Sequence, residues 1–308
     1  MPVSYPDIFR EHSRPLEPIP TDQPPVLARL EGIRAVLFDL YGTLFISAIG
    51  EVGTSREPAS GTAAKPWSAA FSGALAAVGI RPIRPLGQSV TCLFDTILFD
   101  TIEASHAASR EAGICYPEVN IVEVWREVLA DLGQRGMLEA RSLDRTELER
   151  LAVEYEARAN PVWPMPGLRE CLESLRDRGL LLGIISNGQF YTRELFPALL
   201  GHPAEFWGFD SELQHYSYRH GLAKPGPDLY EMAARALRGR GVEPAGALYV
   251  GNDMLNDVRP AAMLGFRTAL FAGDARSLRL RRDDPRLDGV QPDVVLTALG
   301  ELDECLLI

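Results

Sequence analysis

A short stretch near the start of the chain, from Ala35 to Leu44, constrains the fold more than any other feature. It opens with four consecutive apolar residues, Ala-Val-Leu-Phe, and continues into Asp39 and, three residues later, a glycine. Such a run, with β-branched and aromatic side chains, is typical of a buried parallel strand. Asp39 would then lie at the carboxyl end of the strand, where open α/β sheets bind their ligands. An aspartate at a strand end is also a common turn or cap residue, so this stretch alone assigns it no role.

The part of the chain after Pro166 alternates between helical and strand patterns. The predicted strands are Leu181–Ile185, Ala247–Val250, Thr268–Phe271 and Asp293–Leu296, and the predicted helices are Leu168–Arg178, Thr192–Leu200, Pro227–Leu237 and Asn256–Leu264. Strands and helices that alternate in this way form a parallel sheet with helices on both faces. The predicted fold class is therefore α/β, with a doubly wound parallel sheet.

The span from Trp67 to Asn160 has a different pattern, with no convincing strand. Apolar residues recur at three- and four-residue steps in four predicted helices, Trp67–Val78, Val90–Ala112, Ile121–Leu132 and Arg145–Arg158. Because the Asp39 strand precedes this span, we predict that residues 48–161 form an all-helical cap inserted into a core of residues 30–47 and 162–308. The Gly-, Ser- and Ala-rich segment Ile49–Lys65 is predicted to be its flexible hinge. The prolines of residues 1–29 predict an extended arm without regular structure.

Composition and charge exclude several function classes. The chain has 308 residues, of which 46% are hydrophobic, so it can bury a sizeable core. Its formal net charge of −11 argues against nucleic acid or an anionic membrane surface as a partner. The four cysteines are widely spaced and form no CxxC pair, which predicts neither a zinc site nor a disulfide framework and favours the cytoplasm. No secretory signal and no apolar run long enough to span a membrane is predicted.

Three further polar clusters lie at or near predicted strand ends. Ser186-Asn187-Gly188 offers a hydroxyl, an amide and backbone N–H groups to an anion. Lys224, just before a predicted helix, can neutralise a carboxylate or phosphate, and Asp253 and Asp257 offer hard oxygen ligands. Each cluster has an alternative explanation, as a turn, a solvated lysine or a helix cap. All of them in this order, between alternating strands and helices, favour a single functional site.

Taken together, the clusters resemble the four ordered motifs of the haloacid dehalogenase (HAD) superfamily of hydrolases, in the subclass with a helical cap after the first motif. The matching residues are Asp39-Leu40-Tyr41-Gly42-Thr43-Leu44, Ser186-Asn187-Gly188, Lys224-Pro225 and Gly251-Asn252-Asp253-Met254-Leu255-Asn256-Asp257. The resemblance implies a Rossmann-like core in which Asp39 is the nucleophile and forms a covalent aspartyl intermediate. It also implies that Ser186, Asn187 and Lys224 orient and neutralise a small anionic substrate. Asp257, with Asp253, would hold Mg²⁺ or position water.

Tyr41 is a departure from the family's phosphatases, which have a second aspartate two residues after the nucleophile. That aspartate acts as general acid and then as base, a contribution of roughly 10²- to 10⁴-fold. Its loss favours leaving groups that depart without a proton, such as a halide, an acyl phosphate or an aryl phosphate. Tyr41, together with Tyr230, resembles the superfamily's 2-haloacid dehalogenases, which need no metal.

The acidic fourth motif points instead to the metal-dependent phosphatases. Three converging carboxylates require a counter-ion, and Lys224 alone leaves an excess of negative charge. The sequence therefore favours Mg²⁺ and a small phosphorylated substrate with a good leaving group. The metal ligands that the resemblance implies are Asp39, the backbone carbonyl of Tyr41, Asp253 and Asp257.

Two alternatives stay open. The first is 2-haloacid dehalogenation without a metal, for which Arg56 is the first candidate to bind the halide. The second belongs to another class, a catalytically weak HAD-fold binding module, and the missing acid at Tyr41 supports it. A screen of phosphates and 2-haloacids with and without Mg²⁺ separates these hypotheses.

Overall fold

The computed structural model describes residues 4–50, 67–83, 88–139 and 141–306. Its strands are β1 (Ala35–Phe38), β2 (Phe45–Ser47), β3 (Val162–Pro164), β4 (Leu181–Ser186), β5 (Phe209–Tyr216), β6 (Ala247–Gly251), β7 (Arg267–Phe271) and β8 (Val294–Leu296). Its α-helices are α1 (Tyr5–His12), α2 (Trp67–Ala77), α3 (Gln88–Glu111), α4 (Ile121–Gln134), α5 (Arg145–Ala159), α6 (Leu168–Asp177), α7 (Leu195–Leu199), α8 (Ser217–His220), α9 (Asp228–Gly239), α10 (Arg259–Met263) and α11 (Leu302–Cys305). In the described ranges, no helix combines the length and apolarity needed to cross a membrane.

Strand β1 lies inside a six-stranded sheet of order β5-β4-β1-β6-β7-β8. Every neighbouring pair is parallel, and all four residues of β1 are buried. Phe38 at the end of β1 is in register with Ile184 of β4 and Val250 of β6. The segments that follow these three strands therefore meet at one edge of the sheet. The predicted α/β class with a doubly wound parallel sheet is confirmed.

Helices α2 to α5 lie in the chain between β2 and β3, where the sequence predicts the cap, and we call these four helices and their connections the cap. These two strands pair antiparallel, with Phe45 opposite Pro164 and Ser47 opposite Val162. The chain therefore leaves the core and returns to it at one place. Inside the cap, the rings of Phe71 and Phe94 stack with centroids 3.7 Å apart. The four predicted cap helices are present, and no strand occurs among the described residues between them. The division into a core and a cap domain of residues 48–161 remains a prediction.

Strand β5 is an element that the periodicity did not predict. Its sequence, Phe-Asp-Ser-Glu-Leu-Gln-His-Tyr, lacks a regular apolar pattern, and Ser211 and Glu212 are exposed. Because β5 is an edge strand that pairs only with β4 within the sheet, it has less need for the continuous apolar run of a central strand.

The N-terminal arm differs from its prediction at residues 5–12. The expectation that its prolines prevent regular structure is wrong there, because α1 begins with Pro6 in its first turn, where proline is tolerated. The side chain of Ser4 caps the helix by accepting a hydrogen bond from the Asp7 N–H. Further along, Val26 forms an antiparallel bridge with Val295.

Helix α1 connects the cap to the core. The Tyr5 hydroxyl donates to Glu149 of the cap helix α5 at 3.1 Å. On the core side, the Phe9 ring lies 6.1 Å from the ring of Tyr191, and Arg10 Nε donates to the Ala198 carbonyl at 3.2 Å. The arm thus holds α5 against the segment that follows β4.

Replacing Phe9 with alanine should destabilise the protein strongly. Phe9 is 1% exposed, and truncating a buried phenylalanine costs about 3–5 kcal/mol in lost transfer energy and cavity formation. Chemical denaturation measures this change in the free energy of unfolding. Glu11→Ala, at an exposed position of the same helix, is the control and should change it by no more than about 0.5 kcal/mol. A loss below about 1 kcal/mol for Phe9→Ala would show that α1 is not anchored as described.

Candidate active site

Asp39 lies directly after β1, as predicted. Its N–H donates to the Val250 carbonyl of β6 at 2.9 Å, and the residue is 7% exposed. The chain then turns sharply at Gly42, whose φ of +80° favours glycine. A Cβ at Gly42 would also approach within 2.5 Å of the Asn252 side chain, so this turn packs closely beneath the end of β6.

Lys224 connects two carboxylates from opposite ends of the chain. Its Nζ donates to Asp39 Oδ1 at 2.8 Å and to Asp257 Oδ1 at 2.6 Å. The lysine side chain is 4% exposed, and the same Nζ lies 3.3 Å from the Tyr249 hydroxyl. Because these side chains are almost fully buried, the ammonium is held between the carboxylates by charge-assisted hydrogen bonds. Three of the predicted site residues are therefore brought together.

The environment of these groups raises both pKa values, for different reasons. Burial raises the pKa of Asp257 to about 7; the charge of Lys224 opposes this rise, and those of Asp39 and Asp253 add to it. Burial alone would lower the pKa of Lys224, but the two carboxylates outweigh it and raise that pKa above its ordinary value. Lys224 is therefore a fixed cation, and Asp257 can exchange a proton near neutral pH.

The position of Asp257 depends on a tight turn after β6. A helical segment with π-type hydrogen bonds, Met254–Val258, replaces the start of the predicted helix at Asn256. It directs Asp257 back to the strand end, where Oδ2 accepts the Asp253 N–H at 3.0 Å. A Cβ at Gly251 would lie 2.4 Å from Asp257 Cγ, so only glycine fits beside it. Such π-type turns are frequent at functional sites.

Asn187 contacts the backbone of Lys224 rather than its side chain. The Lys224 N–H donates to Asn187 Oδ1 at 2.8 Å, and Asn187 Nδ2 donates to the Lys224 carbonyl at 3.2 Å. This pair of hydrogen bonds fixes the loop that carries the cation. Asn187 therefore positions Lys224, which the sequence did not indicate.

Ser186 differs from its neighbours because its hydroxyl has no internal partner. The residue is fully buried at the end of β4, and Ser186 Oγ has no hydrogen-bond partner among the described residues. The same holds for Thr43 Oγ1, in the turn after Asp39. Buried hydroxyls are nearly always hydrogen-bonded, so these two are candidates to contact a substrate.

The hydroxyls of Tyr41 and Tyr230 form hydrogen bonds with groups other than Asp39. The Tyr41 hydroxyl lies 3.3 Å from Thr192 Oγ1, and burial raises its pKa above the ordinary value, so the phenol is a poor base. Tyr230 donates to the Asn256 carbonyl at 2.7 Å and thereby supports the turn that carries Asp257.

Asp253 forms an ion pair with Arg281, a residue outside the four motifs. Arg281 Nε donates to both Asp253 oxygens, at 2.9 and 3.0 Å, and its Nη2 donates to Oδ2 at 2.6 Å. Asn256 Nδ2 also donates to Oδ2, and the Leu255 N–H donates to Oδ1. Arg281 has a φ of +46°, an uncommon conformation for a residue with a side chain. The arginine-rich run after β7 was the sequence signal for this second cation.

These contacts do not fit the predicted set of four metal ligands. Mg²⁺ requires oxygen ligands in near-octahedral geometry, and both oxygens of Asp253 are committed to Arg281 and its neighbours. Lys224 already lies between Asp39 and Asp257. In the described ranges, no group of three histidine, cysteine or acidic residues is arranged to hold a metal ion. Arg56 and most of the predicted hinge Ile49–Lys65 lie outside the described residues.

The chain belongs to the haloacid dehalogenase-like hydrolase family, whose sequence model matches residues 33–265. This range begins just before β1 and ends after α10, so it includes all four motifs. The protein is therefore a hydrolase of the HAD fold. No curated protein matches the chain.

Several solved structures are similar to this one. The 2-haloacid dehalogenase from Pseudomonas syringae pv. tomato DC3000 is 21% identical with a TM-score of 0.51, and the match covers 89% of this chain and 97% of that one. A HAD phosphatase from Thermococcus onnurineus is 18% identical with a TM-score of 0.50, covering 88% and 97%. The L-2-haloacid dehalogenase from Xanthobacter autotrophicus is 23% identical with a TM-score of 0.46, covering 88% and 96%. At these identities the similarities establish the fold alone, and the substrate class stays open.

Proposed function

We propose that the protein is a metal-independent hydrolase that cleaves a carbon–halogen bond of a small anionic substrate through a covalent intermediate on Asp39. The observation that carries the proposal is the position of Lys224 between Asp39 and Asp257. Together with the Asp253–Arg281 ion pair, it leaves the three carboxylates with two internal cations. One of the three negative charges is left without a cation, so the counter-ion argument for Mg²⁺ is weaker than the sequence indicated.

In the first step, Asp39 attacks the substrate carbon. Lys224 holds Oδ1, so we assign the attack to Oδ2. A carbon–oxygen bond forms as the carbon–halogen bond breaks, and the halide leaves with the bonding electron pair. No proton is transferred, which fits Tyr41 in place of a general acid. Lys224 and the hydroxyl of Ser186 would bind the carboxylate of the substrate.

In the second step, water hydrolyses the resulting ester. We assign Asp257 as the base, because a carboxylate with a pKa near 7 can accept a proton from water at neutral pH. The oxygen of the water bonds to Cγ of Asp39, and the bond between Cγ and Oδ2 breaks. Oδ2 leaves with the substrate carbon as an alkoxide, which takes up the proton that Asp257 removed from the water and becomes the alcohol product. The second proton of the water is released to solvent. The carboxylate of Asp39 is restored, now carrying one oxygen from water.

A phosphatase acting on an activated phosphate is the second candidate. Asp39 and Asp257 both contact one Nζ atom, so they are close enough for one cation to bridge them. With the Tyr41 carbonyl, these two carboxylates would hold Mg²⁺ if Lys224 moved aside. Mg²⁺ would neutralise the charge of a phosphoryl group there. Asp253 is not part of this ligand set.

A substrate screen with EDTA or Mg²⁺ tests the proposal. We expect turnover of 2-chloropropionate that neither addition changes by more than about twofold, because Lys224 and Arg281 supply the positive charge. Acetyl phosphate and p-nitrophenyl phosphate serve as the comparison substrates. Turnover of the phosphates alone, abolished by EDTA, would contradict the metal-independent hypothesis. No turnover of any substrate would favour a binding module.

A further inference from the structure

Glu118 is a half-buried acid of the cap that contacts the core next to the site. It lies between α3 and α4, and its Oε2 accepts the Ser217 hydroxyl at 2.6 Å. Its Oε1 accepts Gln189 Nε2 at 3.0 Å and the Val119 N–H at 2.9 Å. Burial raises the pKa of Glu118, while these three hydrogen bonds oppose the rise. Both oxygens of one cap side chain are thus committed, largely to groups of the core.

Backbone hydrogen bonds hold the same cap segment on the loop that leads to Lys224. The Glu118 N–H donates to the Gly221 carbonyl at 3.0 Å. The Ala223 N–H, immediately before Lys224, donates to the Tyr116 carbonyl at 2.8 Å. The cap therefore touches the loop one residue away from the cation of the site.

Ser217 links Glu118 to the second loop of the site, which follows β4 and contains Asn187 and Gly188. Its hydroxyl has one proton and two possible acceptors, Glu118 Oε2 at 2.6 Å and the Gly188 carbonyl at 3.2 Å. The carboxylate is closer and charged, so it takes the proton. The Ser217 oxygen is then free to accept the Gly188 N–H at 2.9 Å. This hydrogen bond fixes the position of Gly188, the residue that follows Ser186 and Asn187.

We infer that Glu118 is a positioning residue through which the cap holds both catalytic loops in place. Gly188 is fixed through Ser217, and Asn187 in turn fixes the backbone of Lys224. A cap seated on Glu118 therefore places Lys224 between Asp39 and Asp257. The inference rests on the proposed function only for its kinetic test, because the placement of Lys224 can be measured without turnover.

A double-mutant cycle on Glu118 and Ser217 tests this inference. In Glu118→Gln, one orientation of the amide places its NH₂ group against Gln189 and the Val119 N–H, which are donors themselves. The other orientation places the NH₂ group against Ser217, whose hydroxyl then loses its acceptor. We expect kcat to fall about 10- to 100-fold with KM changed by less than about threefold, as for a small misplacement of catalytic groups. Ser217→Ala should have a similar effect, and the double variant should be no worse than the worse single variant within about threefold. Glu127→Gln, on an exposed position of α4, is the matched control and should leave kcat unchanged.

An activity-independent measurement uses the rarity of lysine. The chain has two lysines, Lys65 and Lys224, so acetylation of each by acetic anhydride can be followed by mass spectrometry. We expect Lys224 to react several-fold faster in Glu118→Gln than in the wild type, relative to Lys65. Leu172→Ala, a buried core change in α6, controls for general destabilisation and should not produce this increase. Unchanged acetylation of Lys224, or multiplicative effects of the two single variants on kcat, would overturn the inference whether or not the substrate class is right.

Discussion

Asp39→Asn should lower kcat by about 10⁴-fold or more, because the amide cannot attack the substrate as a carboxylate does. The fold should persist, since an asparagine oxygen can still accept a hydrogen bond from Lys224. Steady-state kinetics on the substrate identified by the screen measure the loss, and thermal denaturation checks the fold.

Two further variants make this experiment decisive. Asp39→Ala excludes activity regained by deamidation of the asparagine. Asp288→Asn makes the same chemical change at an exposed position and should retain full activity. If Asp39→Asn and Asp39→Ala kept even a tenth of the wild-type kcat, Asp39 would not be the nucleophile.

Asp257→Asn should separate the two chemical steps. The first step needs no base, so the variant should release about one equivalent of halide rapidly and then slow by roughly 10²- to 10⁴-fold, the usual contribution of a general base. Intact-mass spectrometry should show the substrate fragment attached to the protein, and peptide mapping should place it on Asp39. An asparagine at this position still accepts a hydrogen bond from Lys224, which preserves the site.

The pH dependence of the wild type follows from the same assignment. Since the pKa of Asp257 is raised to about 7, the base is protonated and inactive below that pH. The turnover rate should therefore fall as the pH drops from about 8 to 6, and the slow turnover of Asp257→Asn should lack this dependence. If Asp257→Asn releases no halide, or turns over at the wild-type rate, Asp257 does not act in the second step.

The sheet and the meeting of Asp39, Lys224 and Asp257 could be predicted because local patterns determine them. The apolar run before Asp39 specifies a buried strand, and the ends of parallel strands must meet at one edge. Helix α1 and strand β5 lack such patterns. Pro6 is compatible with a first helical turn, and β5 is an edge strand with exposed residues, so tertiary packing decides both.

The contacts of Arg281 and Glu118 could not be predicted for a different reason. Each acts through a partner far away in the sequence, Asp253 for the arginine and Ser217 for the glutamate. No local spacing links these pairs, and their meeting depends on how the loops and the cap pack on the strand ends. The predicted need for Mg²⁺ came from a charge count that lacked Arg281. A count of charges from motifs alone omits cations that other loops bring in.

A single turnover in water enriched with ¹⁸O tests the central claim, the covalent intermediate on Asp39, most directly. With enzyme in excess over 2-chloropropionate, water attacks Cγ of Asp39, so one ¹⁸O atom should appear in the peptide that contains Asp39 and none in the hydroxy acid. Asp257→Asn, which stalls at the ester, should show little label in that peptide over the same time. Label in the product alone would mean that water attacks the substrate directly, and the covalent mechanism would be wrong.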